Sequence, residues 1–384
     1  MLIYVIYLLI ILYLAYHYDV RGCEKYKERW QFVVVFLLIA LAGLRNHVGG
    51  DTANYERHFI EAPLLSQLSS YELTLTEQIE FLWFYFFVIV KSLFKEFYVV
   101  QIIHALITNI LIFRFIKRNT PYFFIATLVF FIVEWWNFNF EIMRESLCIA
   151  IFLNGLLFLQ NKKPGKYILS CIPAFFIHYF AFVPILSTLA LYYCNKRISV
   201  VIVLFFSVFF LLYGSTIADS ILSFALNVTA GENSQTYESY ITGELYGQTS
   251  LNLFGYLKHF IILACPVILA YIFYKRDDEF SYKIVVLYIL FYVAFIVFPV
   301  FSRFSHYLFV CFVLYGINYI KESQMNLFKH YTKIIIIYLC VSACVNFYKP
   351  ATSAYFNQTK DIRYFPYKSI FQDVDIERES IYYR

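Results

Sequence analysis

Apolar runs long enough to span a bilayer, or nearly so, fall at about 2–17, 31–45, 98–117, 121–137, 143–160, 198–214, 255–274, 283–300, 306–321 and 333–348, with further runs at 79–94 and 167–193. In hydrocarbon the backbone must satisfy its own hydrogen bonds, so such runs fold as membrane helices. Composition points the same way. The chain is 61% hydrophobic, 22% aromatic and 15% charged, where soluble globular proteins average ~45–50% apolar and ~25% charged. A water-soluble enzyme is excluded. The expected fold is an all-α polytopic membrane protein with about 10 full transmembrane helices plus one or two re-entrant or broken ones, 10–12 in total. A single transmembrane domain would cover 1–348, and residues 349–384 would form an external C-terminal tail.

Charge sorts the connectors. DVRGCEKYKER, FIKRNTP, NKKPGK, NKR and YKRDDEFSYK are short and basic, which places them in the cytoplasm. The stretches 46–80, 215–253 and 349–384 are longer and more acidic and belong outside, where extracytoplasmic function would reside. The first run lacks a basic leader and is followed by Arg21, Lys25, Lys27 and Arg29, so it reads as an uncleaved span with its N-terminus outside. Arg21–Arg29 and Arg114–Arg118 then face the same side, which requires an even number of crossings between them. This makes 79–94 re-entrant or interfacial, and it makes 167–193 a pair broken around His178 between Pro173 and Pro184. The net charge of +5 includes no basic run suited to nucleic acid. All cysteines but Cys23 lie in apolar runs, without disulfide or zinc spacing. Neither a metal nor a cofactor is expected.

Unusual polar groups cluster on the side assigned as external: RNHVGGDTANY (Arg45 to Tyr55), EIMRE (Glu141 to Glu145), His178, FSRFSH with Arg303 and His306, and FPYKSIF with Tyr367 and Lys368. Each has an ordinary reading alone. An arginine at a span end snorkels, a histidine in an apolar run is hydrogen-bonded structure, and Asp51 caps the helix starting at Thr52. Together, Arg45, Arg144 and Arg303 suit a polyanion, because guanidinium forks match phosphate oxygens and keep their charge. Gly49 and Gly50 permit a tight turn or a close backbone approach to a ligand. Asp51 or His178 could orient an acceptor hydroxyl and take its proton, with Asp51 favoured because an aqueous loop beside Arg45 keeps it ionised. External tyrosines such as Tyr55 could stack on sugars, whereas Trp135 and Trp136 read as interface-belt anchors. Lys258 and His259 fit either donor phosphates or lipid headgroups.

RNHVGGDTANY resembles the R-x-x-x-G-x-D-x-x-x-Y signature of the EpsG-like polysaccharide polymerases, a branch of the Wzy O-antigen and capsule polymerases. The resemblance continues in order through MRESLCIAIF, FFIHYFAFVPI, SRFSHYLF and FPYKSIF, over about residues 40 to 371. One departure is Glu145, where glutamine is expected. The resemblance implies a GT-C-like, metal-independent glycosyltransferase of the bacterial inner membrane with its active site facing the periplasm. Such enzymes transfer a growing glycan from undecaprenyl pyrophosphate to a lipid-linked repeat unit, among membrane lipid and with a chain-length regulator protein as partner. The implied catalytic set is Asp51, His178, Arg45, Arg144 and Arg303. Gly49, Gly50, Tyr55, Glu145, His306, Tyr367 and Lys368 would bind substrate. An O-antigen ligase, with the same donor and a different acceptor, is the alternative enzyme, and a lipid-linked oligosaccharide flippase is the alternative transporter.

Overall fold

Helix boundaries follow local chemistry. In the computed structural model, α1 (Leu2–Leu14) continues through a π-helical turn, Ala15–Val20. α2 (Lys27–Gly43) starts after Tyr26, which takes a left-handed φ of 66°. α4 (Phe81–Phe94) stops at Lys95, also left-handed at φ 62°, and α8 (Pro164–Ile177) opens on a proline, whose missing N–H is harmless in a first turn. Between these lie α3 (Thr52–Glu61), α5 (Phe97–Asn119), α6 (Phe123–Phe130) and α7 (Met143–Gln160). After them come α9 (Phe182–Tyr193), α10 (Leu253–Lys275), α11 (Glu279–Val297), α12 (Ser302–Glu322) and α13 (Asn326–Phe347). The structure describes residues 2–70, 80–195, 253–297, 301–322, 326–347, 364 and 367–372, with 205, 206 and 209. The expected loop 215–253 (all but its last residue), most of the run 198–214 and most of the tail 349–384 lie outside the described residues.

Among the described residues the regular structure is helical, and five helices are long and apolar enough to cross a membrane: Leu2–Val20, Phe97–Asn119, Met143–Gln160, Leu257–Lys275 and Glu279–Ile296. Two other expected spans, α2 and α6, fall short for identifiable reasons. α2 spends its first turn on Lys27, Glu28 and Arg29, and α6 runs into π-helical turns at Phe131–Trp135 and Asn137–Glu141. The run 167–193 breaks at His178, which is extended at φ −156° and followed by a 3₁₀ turn, Tyr179–Ala181. Pro173 sits inside α8 and Pro184 in the first turn of α9, so the break falls on the histidine between them.

The chain divides into two compact units, residues 1–182 with 336–384, and residues 183–335. In the first, side-chain contacts give each helix a direction. Lys117 of α5 meets Glu28 of α2 at 3.0 Å, so these helices are antiparallel. His104, Asn154 and Gln160 tie α5 to α7 in parallel: His104 to Met143 (2.8 Å), Asn154 to Leu111 (2.8 Å) and Gln160 to Asn119 (3.1 Å). One end therefore gathers Glu28, Lys117, Asn119 and Gln160, beside the basic connectors. The other gathers the end of α2 and the start of α7. α1 reaches that second end at Tyr4, whose hydroxyl donates to the Tyr364 carbonyl at 2.7 Å, and the basic end at Asp19, which accepts from the Ile125 N–H at 2.8 Å.

α4 does not traverse the unit. α3 lies alongside it, with Tyr55 on Trp83 (5.9 Å between rings) and Phe59 on Phe87 (5.9 Å), and Lys91 Nζ donates to the carbonyls of Ile60 and Ala62. Glu80, just before α4, contacts Arg144 in the first turn of α7. The far end of α4 joins α5 at Phe97, seven residues or about 10 Å beyond the level of His104. Both ends of α4 thus stay at the second end of the unit, as the parity of basic connectors requires.

The core between these helices is aromatic and tightly closed. At Gly155 a Cβ would stand 2.7 Å from Cys171 Sγ, so α7 and α8 touch through a glycine. Trp135 and Trp136 are buried here rather than anchored at an interface. Trp135 is wholly inaccessible and its Nε1 donates to Asn109 Oδ1 at 2.8 Å, the partner a buried indole N–H requires. In the second unit α11 packs against α10 and α12, with Lys283 Nζ donating to the Tyr192 carbonyl of α9 at 2.7 Å and pairing with Glu279 at 2.8 Å.

Candidate functional site

The end of α2, the loop 44–51, the start of α7, the break after α8 and residues 367–372 meet at the second end of the first unit. Residues 367–372 add a short antiparallel contact: Arg45 bridges Ser369, Asn46 N–H donates to the Lys368 carbonyl (2.9 Å), and Ile370 N–H donates to that of Leu44 (2.9 Å). Tyr367 donates its hydroxyl to the Leu41 carbonyl at 3.2 Å. The tail motif therefore braces the loop that carries Arg45, with the Lys368 backbone as one of the contacts.

Arg45 is not at the surface. It is 0% exposed; Nε donates to the Val48 carbonyl (3.2 Å), one terminal nitrogen to the Ala42 carbonyl and the other to Met143 Sδ (3.3 Å), with the Phe140 ring 4.9 Å from its guanidinium carbon. A phosphate clamp needs a guanidinium that ligand can reach; this one is spent on the protein. Gly49 has φ +107°, and a Cβ there would lie 2.5 Å from the Phe140 carbonyl oxygen, so the glycine serves the approach of this loop to the π-helical segment. The N–H groups of Gly50 and Asp51 do point at an anion, but it is the protein's own: Glu141, at 3.0 and 3.2 Å. Asp51 stands at the cap position of α3, half-buried, and its side chain makes no capping hydrogen bond.

The reachable charge is Arg144. Its terminal nitrogen donates to Glu80 Oε2 at 2.6 Å, its guanidinium also hydrogen-bonds the Tyr55 hydroxyl, and the side chain retains 24% exposure. The other Glu80 oxygen lies 2.5 Å from His178 Nδ1. Glu80 is thus shared between a guanidinium and an imidazole that sequence separates by 34 residues. Burial pushes the Glu80 carboxyl up in pKa, but the hydrogen bond from His178 and the charge of Arg144 outweigh it and hold the group below its ordinary range. Tyr55 is pushed up to about 12, first by burial and next against the pull of Arg144, with Asp51 adding to the rise, so its phenol keeps its proton. His58, on the same helix, is lowered by burial and by the Arg144 charge and stays neutral near pH 7.

Glu145 follows Arg144 into the helix and is buried at 3% exposure. Arg303 and His306 occupy the first turns of α12, in the second unit, half-buried. Four of the five sequence segments therefore meet within one unit, and the fifth is part of the other. Glu80 and His104 complete the assembly although they were not among the residues picked from sequence, and Glu141 joins it as the first residue of the EIMRE segment. His104 had a readable signal: Gln101, His104, Thr108 and Asn109 place polar groups at helical spacing on one face of an otherwise apolar α5. Glu80 had none, because its partners come from helices far away in the chain.

Among the described residues no group of three or more His, Cys, Asp or Glu is placed to hold a metal ion. No curated protein and no solved structure matches the sequence. The family model described as EpsG family matches residues 28–369, nearly the whole chain, and the protein therefore belongs to the EpsG family, membrane proteins of the polysaccharide-polymerase type.

Proposed function

We propose that this chain is a Wzy-type repeat-unit polymerase of the bacterial inner membrane, with a GT-C-like arrangement of about 10 helices. It would transfer a growing glycan from undecaprenyl pyrophosphate to the non-reducing end of a lipid-linked repeat unit at the periplasmic face. The observation that carries this reading is the Arg144–Glu80–His178 assembly, with Tyr55 and Asp51 beside it, at the end of the unit opposite the basic connectors. A surplus of Lys and Arg marks cytoplasmic loops, which supports a periplasmic site.

The chemistry needs two things of the protein. A sugar pyrophosphate already carries a good leaving group, so the acid that a glycosidase uses to protonate an alcohol is dispensable, but the charge on the departing pyrophosphate must be met. Arg144 meets it; the part given to Arg303, which lies in the second unit, rests on the family resemblance alone. The acceptor hydroxyl must also lose its proton as the glycosidic bond forms. His178 takes that proton: ionised Glu80 accepts from Nδ1–H, which leaves Nε2 with its lone pair. Asp51 orients the acceptor hydroxyl, a reversal of the order expected from sequence, because His178 has a buried carboxylate behind it. Tyr55 keeps Arg144 in place. Arg45, Gly49, Gly50, Tyr367 and Lys368 build the loop; the parts given to Glu145, which is buried, and to His306, which lies in the second unit, rest on the family resemblance alone.

The test is polymerisation of a purified lipid-linked repeat unit by the protein alone in liposomes. Long products support the reading, and their absence under conditions where the protein is folded refutes it. Activity that persists in EDTA is expected, since arginine supplies the positive charge. In a deletion strain, short lipid-linked units should accumulate facing the periplasm; units trapped inside would favour a flippase.

A further inference from the structure

The first turn of α7 is not the continuation of a preceding helix. Upstream, the Phe123–Glu141 segment passes through two π-helical turns, and Ile142 breaks the chain at φ −99°, ψ 51°. Successive helical residues differ by about 100° in direction, so a slip of one residue at this start would swing Arg144 away from Glu80. Something else must fix the start of α7. Met143, fully buried and immediately before Arg144, is held from two sides. Its sulfur accepts from a terminal nitrogen of Arg45 at 3.3 Å, and its carbonyl oxygen accepts from His104 Nε2 at 2.8 Å.

A carbonyl oxygen can only accept, so the proton of His104 sits on Nε2. The hydroxyls of Ser146 (3.1 Å) and Thr108 (3.2 Å) flank the same nitrogen, and Ser146 also donates to the Met143 carbonyl at 3.0 Å. His104 is 1% exposed and Arg45 not at all, so neither can touch a ligand from where it stands.

We propose that Arg45 and His104 are positioning residues that act on Arg144 through Met143, one gripping its sulfur and the other its carbonyl. The proposal rests on the reading of Arg144 as the cation that meets the donor pyrophosphate. It gives Arg45 a role in the reaction without contact with substrate, and it gives the polar stripe of α5 a purpose.

Two isosteric variants separate the hydrogen bond from burial alone. Gln places its amide where Nε2 was, whereas Asn places it where Nδ1 was and does not reach Met143. In liposomes carrying the full-length protein and lipid-linked repeat units, His104→Gln should polymerise within about threefold of wild type and His104→Asn at least tenfold slower. A double-mutant comparison then shows whether the effect passes through Arg144. In an Arg144→Lys background, itself slowed, His104→Asn and Arg45→Lys should each cost less than about twofold more. Equal rates for the Gln and Asn variants, or the same tenfold loss in both backgrounds, overturn the positioning role. If Arg144→Lys polymerises as wild type, the functional reading fails; if it is slowed while His104→Asn is not, only this proposal fails. Melting of each purified variant in detergent reports stability separately.

Discussion

Glu80→Gln tests the proposed base more sharply than removing the histidine does. The substitution keeps shape and burial, yet it changes which partner can donate. Arg144 is a donor only, so the glutamine carbonyl must face it, across the 2.6 Å contact now made by Oε2. The amide NH2 then faces His178 Nδ1, 2.5 Å from the present carboxylate, and can be satisfied only if Nδ1 becomes the acceptor. The imidazole proton moves to Nε2, and the nitrogen that should receive the acceptor proton no longer has a lone pair. Loss of general-base assistance is worth ~10²–10⁴-fold, and the corresponding exchange of a carboxylate for an amide behind a triad histidine costs ~10⁴ for the same tautomeric reason. Stability should suffer much less than rate. Removing one partner of a buried pair costs ~3–5 kcal/mol and of an exposed pair ~0–1; with Arg144 at 24% and Glu80 at 10% side-chain exposure, and a neutral acceptor retained, about 2 kcal/mol is expected. Polymer length and initial rate in liposomes, compared at equal amounts of inserted protein, are the assay. Glu80→Gln should fall to the level of His178→Gln, and the double variant should fall no further. A Glu80→Gln protein that polymerises within a few-fold of wild type refutes the tautomer argument and the base assignment with it.

Three further outcomes follow from the same geometry. Arg144→Lys should lower polymerisation about 10²-fold with normal insertion, since an ammonium cannot serve Glu80, Tyr55 and a phosphate oxygen in one plane; near-normal rates would remove the pyrophosphate contact. Gly49→Ala, at φ +107° with the Phe140 carbonyl 2.5 Å from the new Cβ, should destabilise by more than the ~1–3 kcal/mol of backbone strain alone, read as a lower melting temperature in detergent. Glu80 is held below its unfolded value of 4.5, so its contribution is complete above that pH and is lost as pH falls through the lower folded value. Wild-type melting should therefore drop below about pH 4.5 more steeply than that of Glu80→Gln, and parallel curves would contradict the pairing.

The helical membrane fold was legible because lipid leaves a backbone few options, and the basic connectors gave the even parity that keeps α4 at one end of the unit. The break at His178 was legible too, although the prolines that pointed to it lie inside α8 and α9. What sequence could not show was which charges remain reachable. Arg45 and Arg144 look alike as arginines at helix ends, but one is consumed by Ala42, Val48 and Met143 while the other keeps a face open. Gly50 and Asp51 look like an anion-binding turn, and Glu141, 90 residues from Asp51, already occupies it. Glu80 sits next to an apolar run where acidic residues are common helix openers, so its pairing with His178, 98 residues away, depends on packing that no local pattern encodes.

The central claim is that a polyprenyl-pyrophosphate glycan is extended at the Arg144–Glu80–His178 assembly. Its most direct test is single-turnover transfer from a defined lipid-linked donor to a defined lipid-linked acceptor by the purified protein in liposomes, with wild type, Glu80→Gln, His178→Gln and Arg144→Lys side by side. Wild type should join the two glycans with release of polyprenyl pyrophosphate, and each variant should bind both lipids yet transfer at least a hundredfold more slowly. Transfer at wild-type rate by all three variants would contradict the assignment of this assembly as the reaction centre.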